Sequence, residues 1–321
     1  MTLNVLITGG FGYVGGRVAA ALGHVPDVHV VLGSRWPRTQ PYWLPQASLA
    51  VTDWNEFKSL QNACAGVDMI LHFAAMNEVN AERDPVLALE MNGVATARLV
   101  EAAKAEKVKR FLYLSTAHVY CSPLVGLIDE TTLPRPRHPY ATSHRAAEDI
   151  VLAAHDEGWF SGLVLRLSNG FGAPVHPQID RWSLLVNDLC RQAVNGGTLR
   201  LRSSGLQRRD FVTLTDVSRA IIHLLQLPET LIGNGIFNIG GQWAATVLDM
   251  AILVAHRCEA LLGFVPEIVR PLSRSDETVQ PLDYRIDRLL STGFKLLSNR
   301  EEEIDATLRM CLNSMKTNQG S

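Results

Sequence analysis

The sequence predicts an α/β fold, with a Rossmann-type doubly wound parallel sheet and a smaller C-terminal lobe. Apolar runs of strand length alternate with helical patterns through the first half of the 321-residue chain. The first run, Leu3 to Thr8, breaks into a glycine-rich turn, after which Val14, Val18 and Leu22 recur at helical spacing. Regular alternation of this kind indicates a parallel sheet that binds its ligand at the carboxyl ends of the strands.

The glycine turn between the first strand and the first helix predicts a dinucleotide site. Three glycines spaced by three residues let the backbone turn tightly, approach a pyrophosphate and pack the helix close to the strand. The N-terminus of the helix then offers N–H groups and a partial positive charge to the phosphates. The alternative is an ordinary glycine turn. We expect the cofactor to contact Gly9, Phe11, Gly12, Tyr13, Val14 and Gly15.

The end of the second strand bears on which cofactor binds. This strand, Val28 to Leu32, is followed by Gly33, Ser34 and Arg35. NAD-preferring sites place an acidic residue here for the ribose hydroxyls, whereas NADP sites offer a cation to the 2′-phosphate. No acid follows this strand, although Arg35 could equally be a solvated loop residue. The sequence therefore favours NADP(H) over NAD(H).

The remaining elements follow in order along the chain. Strands are predicted at residues 48–51, 69–73, 111–114 and 163–167, and helices at 54–63, 85–107 and 140–155. From Asn169 the pattern loosens into shorter elements between Gly and Pro clusters. We expect an NAD(P)-binding domain over residues 1–168. A mainly substrate-binding lobe over 169–321 is expected to return some elements to the first domain.

The composition argues against several classes of function. A net charge of −2 and the lack of a basic stripe give no reason to expect nucleic acid or a membrane surface as partner. No apolar run approaches the roughly twenty residues that span a bilayer. The N-terminus enters a strand directly, so no signal peptide is expected. Five scattered cysteines without paired spacing suggest reduced thiols in a cytoplasmic protein and no metal site.

A tyrosine at the start of a predicted helix is the first candidate for chemistry. Thr116 follows the fifth strand, and Tyr140 and His144 share one helix face, one turn apart. A tyrosine hydroxyl beside a second hydroxyl and a cation can move a proton to or from a carbinol oxygen while a nicotinamide moves the hydride. Most such Tyr–His pairs are incidental, so the spacing alone does not establish this role.

The chain resembles the extended short-chain dehydrogenases/reductases of the nucleotide-sugar epimerase/dehydratase family over nearly its whole length. Several motifs in the expected order carry the resemblance. They are TGGFGYVG (8–15), Asp53, HFAA (72–75), MNGVAT (91–96), STAHVY (115–120), Tyr140, LRLSNGFG (165–172), RRDFVTLTDV (208–217) and FNIGG (237–241).

The resemblance implies a role for each matched position. Thr116 takes the catalytic Ser/Thr place and Tyr140 the acid/base place, Asn169 lies near the substrate's diphosphate, and Arg209 binds that diphosphate. For the acidic and amide residues involved, the alternative is capping of a helix or turn; for Arg209 it is a surface salt bridge. The cofactor is expected to contact a further set of residues: Ser34, Arg35, Asp53, Trp54, Phe73, Ala74, Ala75 and Asn92.

The main departure from the family pattern is His144, where the motif has lysine. The lysine lowers the pKa of the tyrosine and bonds the nicotinamide ribose. A histidine has an ordinary pKa of about 6.5 and stabilises tyrosinate less than a permanent cation. Arg145 is rotated about 100° away on the helix and is a poor substitute. Either His144 is a working replacement with an altered pH optimum, or the site is catalytically weakened.

Two histidines narrow the reaction class. Dehydratases of the family carry an Asp-Glu pair after the catalytic Thr, and Ala117 and His118 stand there in this chain. The resemblance therefore makes 4,6-dehydration improbable. GDP-fucose synthase, an epimerase/reductase, carries an extra acid/base residue at the place of His118 and a His-Pro comparable to His176-Pro177. His118 and His176 are predicted substrate-binding residues that exchange protons beside a ketone, or else polar residues that line the pocket.

The function implied is an NAD(P)-dependent nucleotide-sugar epimerase or 4-ketoreductase, in which Tyr140 and Thr116 handle the proton. Two alternatives stay open: a reductase of a non-sugar ketone, or a weakened dinucleotide-binding protein because of His144. The family commonly dimerises through a four-helix bundle. The resemblance therefore implies a homodimer formed by the helices at 85–107 and 140–155.

Overall fold

The fold is built on one large parallel sheet and three smaller ones. The computed structural model describes residues 2–319 except residues 274 and 276. Its strands are β1 (Leu3–Thr8), β2 (Val28–Ser34), β3 (Ser48–Val51), β4 (Met69–His72), β5 (Arg110–Thr116), β6 (Gly126–Ile128), β7 (Ser161–Leu167), β8 (Asn169–Phe171), β9 (Thr198–Arg200), β10 (Arg208–Thr213), β11 (Ile236–Ile239), β12 (Ala244–Thr246), β13 (Glu267–Val269) and β14 (Leu282–Tyr284).

The helices alternate with these strands. They are α1 (Tyr13–Leu22), α2 (Phe57–Cys64), α3 (Glu78–Arg83), α4 (Pro85–Ala88), α5 (Ala95–Ala105), α6 (Pro139–Asp156), α7 (Leu185–Gly196), α8 (Leu214–Leu225), α9 (Val247–Leu262), α10 (Asp287–Ser291) and α11 (Arg300–Gln319). Short 3₁₀ turns occur at Ala117–Val119 and Glu229–Leu231, and a π-helical segment spans Leu89–Val94. Among the described residues, none of these helices has the length and apolar character to span a membrane.

The seven-stranded sheet has the order β11-β7-β5-β4-β1-β2-β3, and all neighbouring strands run parallel. This confirms the predicted doubly wound fold. β1 pairs with both β2 and β4, so the winding of the chain reverses there. A crevice therefore opens at the carboxyl ends of β1 and β4, which is where open α/β sheets bind their ligands.

Apolar side chains cover both faces of this sheet and fill a third core. One cluster includes Val18 of α1 and Ile221 of α8, and another includes Leu60 of α2 and Val151 of α6. The C-terminal core lies between α7, α9 and α11 and contains Met250. β11 pairs with β7 in the large sheet, although it follows residue 168 in the chain. The domain division at residue 168 stays a prediction.

The long helix predicted at residues 85–107 is interrupted by the π-helical segment. α4 and α5 flank this wider turn, which buries Asn92 and Gly93. The Asn92 side chain accepts a hydrogen bond from the backbone N–H of Met76 (2.6 Å) and donates one to Ser143 Oγ (2.8 Å). The interruption thus coincides with an amide that joins the loop after β4 to α6. π-Helical turns of this kind often mark functional sites.

A buried histidine joins β1, β4 and α5. The Nδ1 atom of His72 lies 2.6 Å from Thr8 Oγ1, and its Nε2 lies 2.9 Å from Thr96 Oγ1. Because Thr96 Oγ1 donates to the Asn92 carbonyl (2.5 Å), it accepts from Nε2–H of His72, and Nδ1 then accepts from Thr8. The ring is neutral in this arrangement, and burial lowers the pKa of His72 to about 3.

Because His72 is buried as a neutral ring, we expect acid to destabilise the fold at pH values well above those at which the carboxylates of the protein titrate. The unfolded chain binds a proton at this ring near pH 6.5 and the folded chain only near pH 3. The free energy of unfolding therefore falls as the pH drops from 6.5 towards 3, by up to about 1.4 kcal/mol per pH unit. Chemical denaturation at pH 7.5 and 4.5 should show a smaller difference for His72→Gln than for wild type. The exposed His24→Gln variant is the control, and an equal difference in all three proteins would contradict the prediction.

Candidate active site

A cleft of about 1110 Å³ opens at the carboxyl ends of the central strands. Its walls come from the glycine turn after β1, the loop after β4, the end of β5, the start of α6 and the β8–α7 and β10 segments. Both apolar and charged side chains line it, as ligand sites of this size require. The cleft therefore meets the sheet where the topology predicts a ligand.

Two glycines of the turn, Gly9 and Gly15, leave no room for a side chain. Gly9 has φ of 72°, and a Cβ there would lie 2.7 Å from the Ala74 nitrogen. A Cβ on Gly15 would overlap the Gly9 carbonyl. Gly12 caps α1 without a side chain, so the first N–H groups of this helix face the cleft. These features fit the pyrophosphate of a dinucleotide.

The other residues of the turn divide between the cleft and the interior. Phe11 and Val14 line the cleft with the glycines. Tyr13 also reaches it, but its hydroxyl donates to the Gly172 carbonyl (2.7 Å) and so joins α1 to the segment after β8. Beyond β4, Phe73 and Ala75 line the same wall.

A second arginine, absent from the predicted set, lies beside the end of β2. Arg38 lines the cleft, its Nε donates to Ser34 Oγ (3.1 Å), and its guanidinium lies 4.8 Å from the centre of the Phe11 ring. Arg35 is exposed in the same loop. The proline-rich pattern of residues 36–45 predicts only a connecting loop, so the position of Arg38 beside the cleft could not be predicted.

Six residues of the predicted cofactor set do not line the cleft: Ser34, Arg35, Asp53, Trp54, Ala74 and Asn92. The Trp54 indole is buried in the core, 5.8 Å from the His72 ring, so contact of this residue with the cofactor stays a prediction. The Asp53 carboxylate accepts from the Asn55 N–H (2.9 Å), which is the capping alternative. Asn92 is fully buried, and its hydrogen bonds to Met76 and Ser143 hold the loop after β4 and the helix α6 in place. Ala74 packs against the second apolar cluster beneath Gly9.

Thr116 and Tyr140 meet at the floor of the cleft, where β5 ends and α6 begins. His138 caps α6 by accepting from the Tyr140 N–H, and Ser143 Oγ donates to the Tyr140 carbonyl (2.9 Å). Burial raises the pKa of the Tyr140 phenol to about 12. Arg181 and a hydrogen bond with Thr116 lower this pKa, and Glu78 raises it. The phenol is therefore a protonated hydroxyl at neutral pH.

His144 lies beside Tyr140 as a neutral ring. The centres of the two rings are 4.5 Å apart, and their planes are inclined at 66°. The Nδ1 atom of His144 lies 2.7 Å from the Tyr113 hydroxyl. Burial, with a contribution from His72, lowers the pKa of His144 to about 3. Its buried Nε2 atom has no hydrogen-bond partner among the described residues. This nitrogen can therefore bond a ligand, but the ring brings no charge to the site.

The four predicted substrate residues all line the cleft, in different settings. The Nδ1 atom of His118 is buried without a partner in the described part of the chain. His176, by contrast, has an aromatic neighbour: the centre of its ring lies 5.5 Å from the centre of the Tyr42 ring. Asn169 Nδ2 donates to the Asp210 carbonyl (3.1 Å) and so fixes the wall beside Arg209.

An ion pair across the cleft completes its charged lining. Glu78, at the start of α3, and Arg181, in the loop before α7, approach to 3.4 Å (Oε2 to Nη1), and both line the cleft. They are separated by 103 residues. No motif marks either residue, because only the folding of two loops onto the same opening brings them together.

Comparison with known proteins agrees with this geometry. The family model described as the NAD dependent epimerase/dehydratase family matches residues 5–240. The dTDP-D-glucose 4,6-dehydratase of Mus musculus is 29% identical over 303 residues, covering 89% of this chain and 78% of that protein. The UDP-glucose 4-epimerase of Rhizobium leguminosarum bv. trifolii is 27% identical over 310 residues, with 94% and 90% covered. The solved structure of MoeE5 in complex with UDP-glucose and NAD is 25% identical and has a TM-score of 0.78, with 97% and 99% covered.

Proposed function

Because the chain belongs to the NAD-dependent epimerase/dehydratase family of enzymes, we propose that it acts on a nucleotide sugar as a 4-ketoreductase, or as an epimerase that includes such a step. The observation that carries this proposal is the pair of hydroxyls, Thr116 and Tyr140, on the floor of the cleft beside the glycine turn. The dinucleotide, when bound, supplies the hydride.

The phenol of Tyr140 serves as the proton donor in this proposal. A keto oxygen that receives a hydride must also receive a proton, and a positioned phenol gives it without free acid in solution. Thr116 bonds Tyr140 and orients both the phenol and the keto oxygen. His144 Nε2, unpartnered among the described residues, is placed to bond the cofactor ribose.

The charge state of the site favours the reductive direction. Oxidation of a sugar hydroxyl, the first half of epimerisation, needs a phenolate as base. Burial instead raises the pKa of Tyr140 to about 12. Since the pKa of His144 falls to about 3, its ring does not offset this effect at neutral pH. A protonated Tyr140 suits donation to a ketone, which supports the ketoreductase.

The cleft also argues against a dehydration. Ala117 is buried and cannot act as an acid or a base, and His118 replaces the carboxylate that the dehydratases carry at the next position.

Arg209 supports a diphosphate-containing substrate. Its guanidinium lines the cleft, bonds the Gln207 side-chain oxygen and forms no ion pair within the described residues, and burial lowers its pKa. The exchange of protons by His118 and His176 stays a prediction.

Replacement of the phenol tests the proposed function. Tyr140→Phe should lower kcat for reduction of a nucleotide-linked 4-keto sugar by a factor of 10² or more, because the proton donor is lost. Cofactor affinity should change little. Tyr42→Phe, on the exposed loop, serves as the matched control.

Wild type that fails to turn over any dTDP-, UDP- or GDP-linked 4-keto sugar, yet reduces simple ketones, would overturn the sugar assignment. Dinucleotide that co-purifies with the protein, together with interconversion of 4-epimers, would assign the epimerase.

We also propose that the cofactor is NADP(H). Arg38 and Ser34 meet beside Phe11 at the end of β2, Arg35 stands next to them, and no acidic residue follows this strand. Arginine and hydroxyl groups here favour a 2′-phosphate, whereas an acidic residue would favour the ribose hydroxyls of NAD.

The arginine beside Ser34 can be tested directly. Arg38→Ala should weaken NADPH binding by about tenfold, the order expected for one charge-assisted phosphate contact, and leave NADH binding nearly unchanged. Titration of intrinsic fluorescence measures both affinities. Arg202→Ala, at an exposed position in another part of the chain, controls for the loss of one positive charge. Equal loss of affinity for both cofactors would show that Arg38 does not recognise the 2′-phosphate.

A homodimer is proposed through the face formed by α4 and the π-helical segment. Val86 is 70% exposed, Leu89 46% and Val94 41%, an apolar run that a second copy of the chain would bury. Val86→Glu with Leu89→Glu should shift the sedimentation coefficient from dimer to monomer, because two carboxylates cannot be buried unpaired. Leu133→Glu, at a position that is 83% exposed, is the control. A monomeric wild type would contradict the proposal.

A cytoplasmic location also remains a proposal. The five cysteines are free, and four of them are buried. Reduced, buried thiols are the usual pattern of proteins from reducing compartments.

A further inference from the structure

The proposed reaction leaves a negative charge that the residue at position 144 cannot balance. When Tyr140 gives its proton away, its oxygen becomes a phenolate in a buried setting. His144, one helical turn away, is held against Tyr113 as a neutral ring. Arg145 does not line the cleft, and its guanidinium pairs with two carboxylates, those of Glu148 (3.0 Å) and Asp149. A cation for Tyr140 must come from another element.

The loop before α7 brings such a cation to the cleft. Arg181 lines the cleft together with Tyr140, and its Nη1 lies 3.4 Å from Glu78 Oε2 at the opening of α3. The Arg181 side chain is 28% exposed, so the charge is partly desolvated while one side remains open to a ligand. Its only ion pair within the described residues is the one with Glu78.

The backbone of this loop is fixed, which gives Arg181 a defined position. The Arg181 N–H donates to the Ile179 carbonyl (3.0 Å), and its carbonyl accepts from Asn187 Nδ2 (3.3 Å). Asn187 Oδ1 also lies 3.3 Å from the Tyr13 hydroxyl, which donates its proton to the closer Gly172 carbonyl. The loop is thereby joined to α1, the helix that follows the glycine turn. The position of Arg181 is thus set by the same elements that build the cofactor wall.

We propose that Arg181, held against Glu78 across the cleft, supplies the positive charge that stabilises the Tyr140 oxygen after proton transfer. The inference rests on the proposed proton-donor role of Tyr140. Arg181 acts through that phenol and is a positioning residue for the reaction. Glu78, which lies against Arg181, acts on the phenol with the opposite charge.

The electrostatics of the phenol agree with this geometry. After burial, which raises it, the Arg181 charge is the largest influence on the pKa of Tyr140 and lowers it. Glu78 raises the same pKa, and Thr116 lowers it by hydrogen bonding. The neutral His144 ring and the Tyr113 hydroxyl also lie near the phenol, His138 accepts from the Tyr140 N–H, and His118 and Arg209 line the same cleft. Removal of Arg181 should therefore raise the pKa of Tyr140, and removal of the Glu78 charge should lower it.

A titration that needs no substrate separates this inference from the proposed function. A fluorinated tyrosine at position 140, whose phenol is more acidic, can be titrated by fluorine NMR while the protein stays folded. Arg181→Met should move the midpoint to higher pH, and Glu78→Gln should move it to lower pH. Arg191→Met, an exposed arginine on α7 that pairs with Asp188, should leave it unchanged. A midpoint that Arg181→Met does not move would overturn the inference, whatever the substrate proves to be.

Turnover gives a second readout once a 4-keto sugar substrate is in hand. Arg181→Met should lower kcat about tenfold or more with little change in KM, since the charge acts on the proton donor. Adding His144→Lys to Arg181→Met should restore most of the lost kcat, because it returns a cation to the opposite side of Tyr140. A rise in KM at constant kcat, without rescue by the lysine, would instead identify Arg181 as a ligand for an anionic substrate group.

Discussion

A continuous run of hydrogen bonds through the interior holds Tyr140 against the central sheet. It starts at Thr8 on β1, passes through His72 and Thr96 to Asn92, and ends at Ser143 and the Tyr140 carbonyl. Every group in it is buried or half-buried, so each bond lost would leave a polar atom unsatisfied, at about 1–3 kcal/mol. The π-helical segment is part of the same construction, because it turns the Asn92 amide towards both Met76 and Ser143. The strand that ends in the glycine turn and the helix that bears the phenol are thus positioned by one network.

The packing behind Tyr140 explains why a histidine fits at position 144. The His144 ring packs between Tyr113 and Tyr140, and within the described residues its one hydrogen-bond partner is the Tyr113 hydroxyl. The space behind the phenol is therefore aromatic and neutral. Such surroundings raise the free energy of a phenolate at Tyr140. Its negative charge must therefore be balanced by charges at the mouth of the cleft. Arg181 and Glu78 are the charged pair found there.

The sequence predicted the parts of the fold that depend on local chemistry. Gly9 and Gly15 could be identified because only glycine fits their backbone and their spacing, and the parallel sheet follows from β-α alternation. The side chains that depend on loop conformation could not be assigned in this way. Trp54 was expected at the cofactor and is buried against His72, while Arg38 returns from a loop without regular structure. Arg181 meets Glu78 only through tertiary folding, and no periodicity in a single sequence reports such a contact.

Similarity to relatives and the chemistry of the cleft bear on different questions. A dehydratase matches the chain over most of its length, and an epimerase does so nearly as well, so the degree of identity does not separate the reactions. The charges around the phenol support the reduction that we propose. Elimination of water needs an acid and a base beside the sugar, and buried Ala117 offers neither. Oxidation needs a phenolate, which burial and a neutral His144 both disfavour. The proposed reduction has two conditions. Tyr140 must hold its proton until the hydride arrives, and a cation must then balance the negative charge of the phenolate. Burial meets the first condition, and a guanidinium at the mouth of the cleft meets the second.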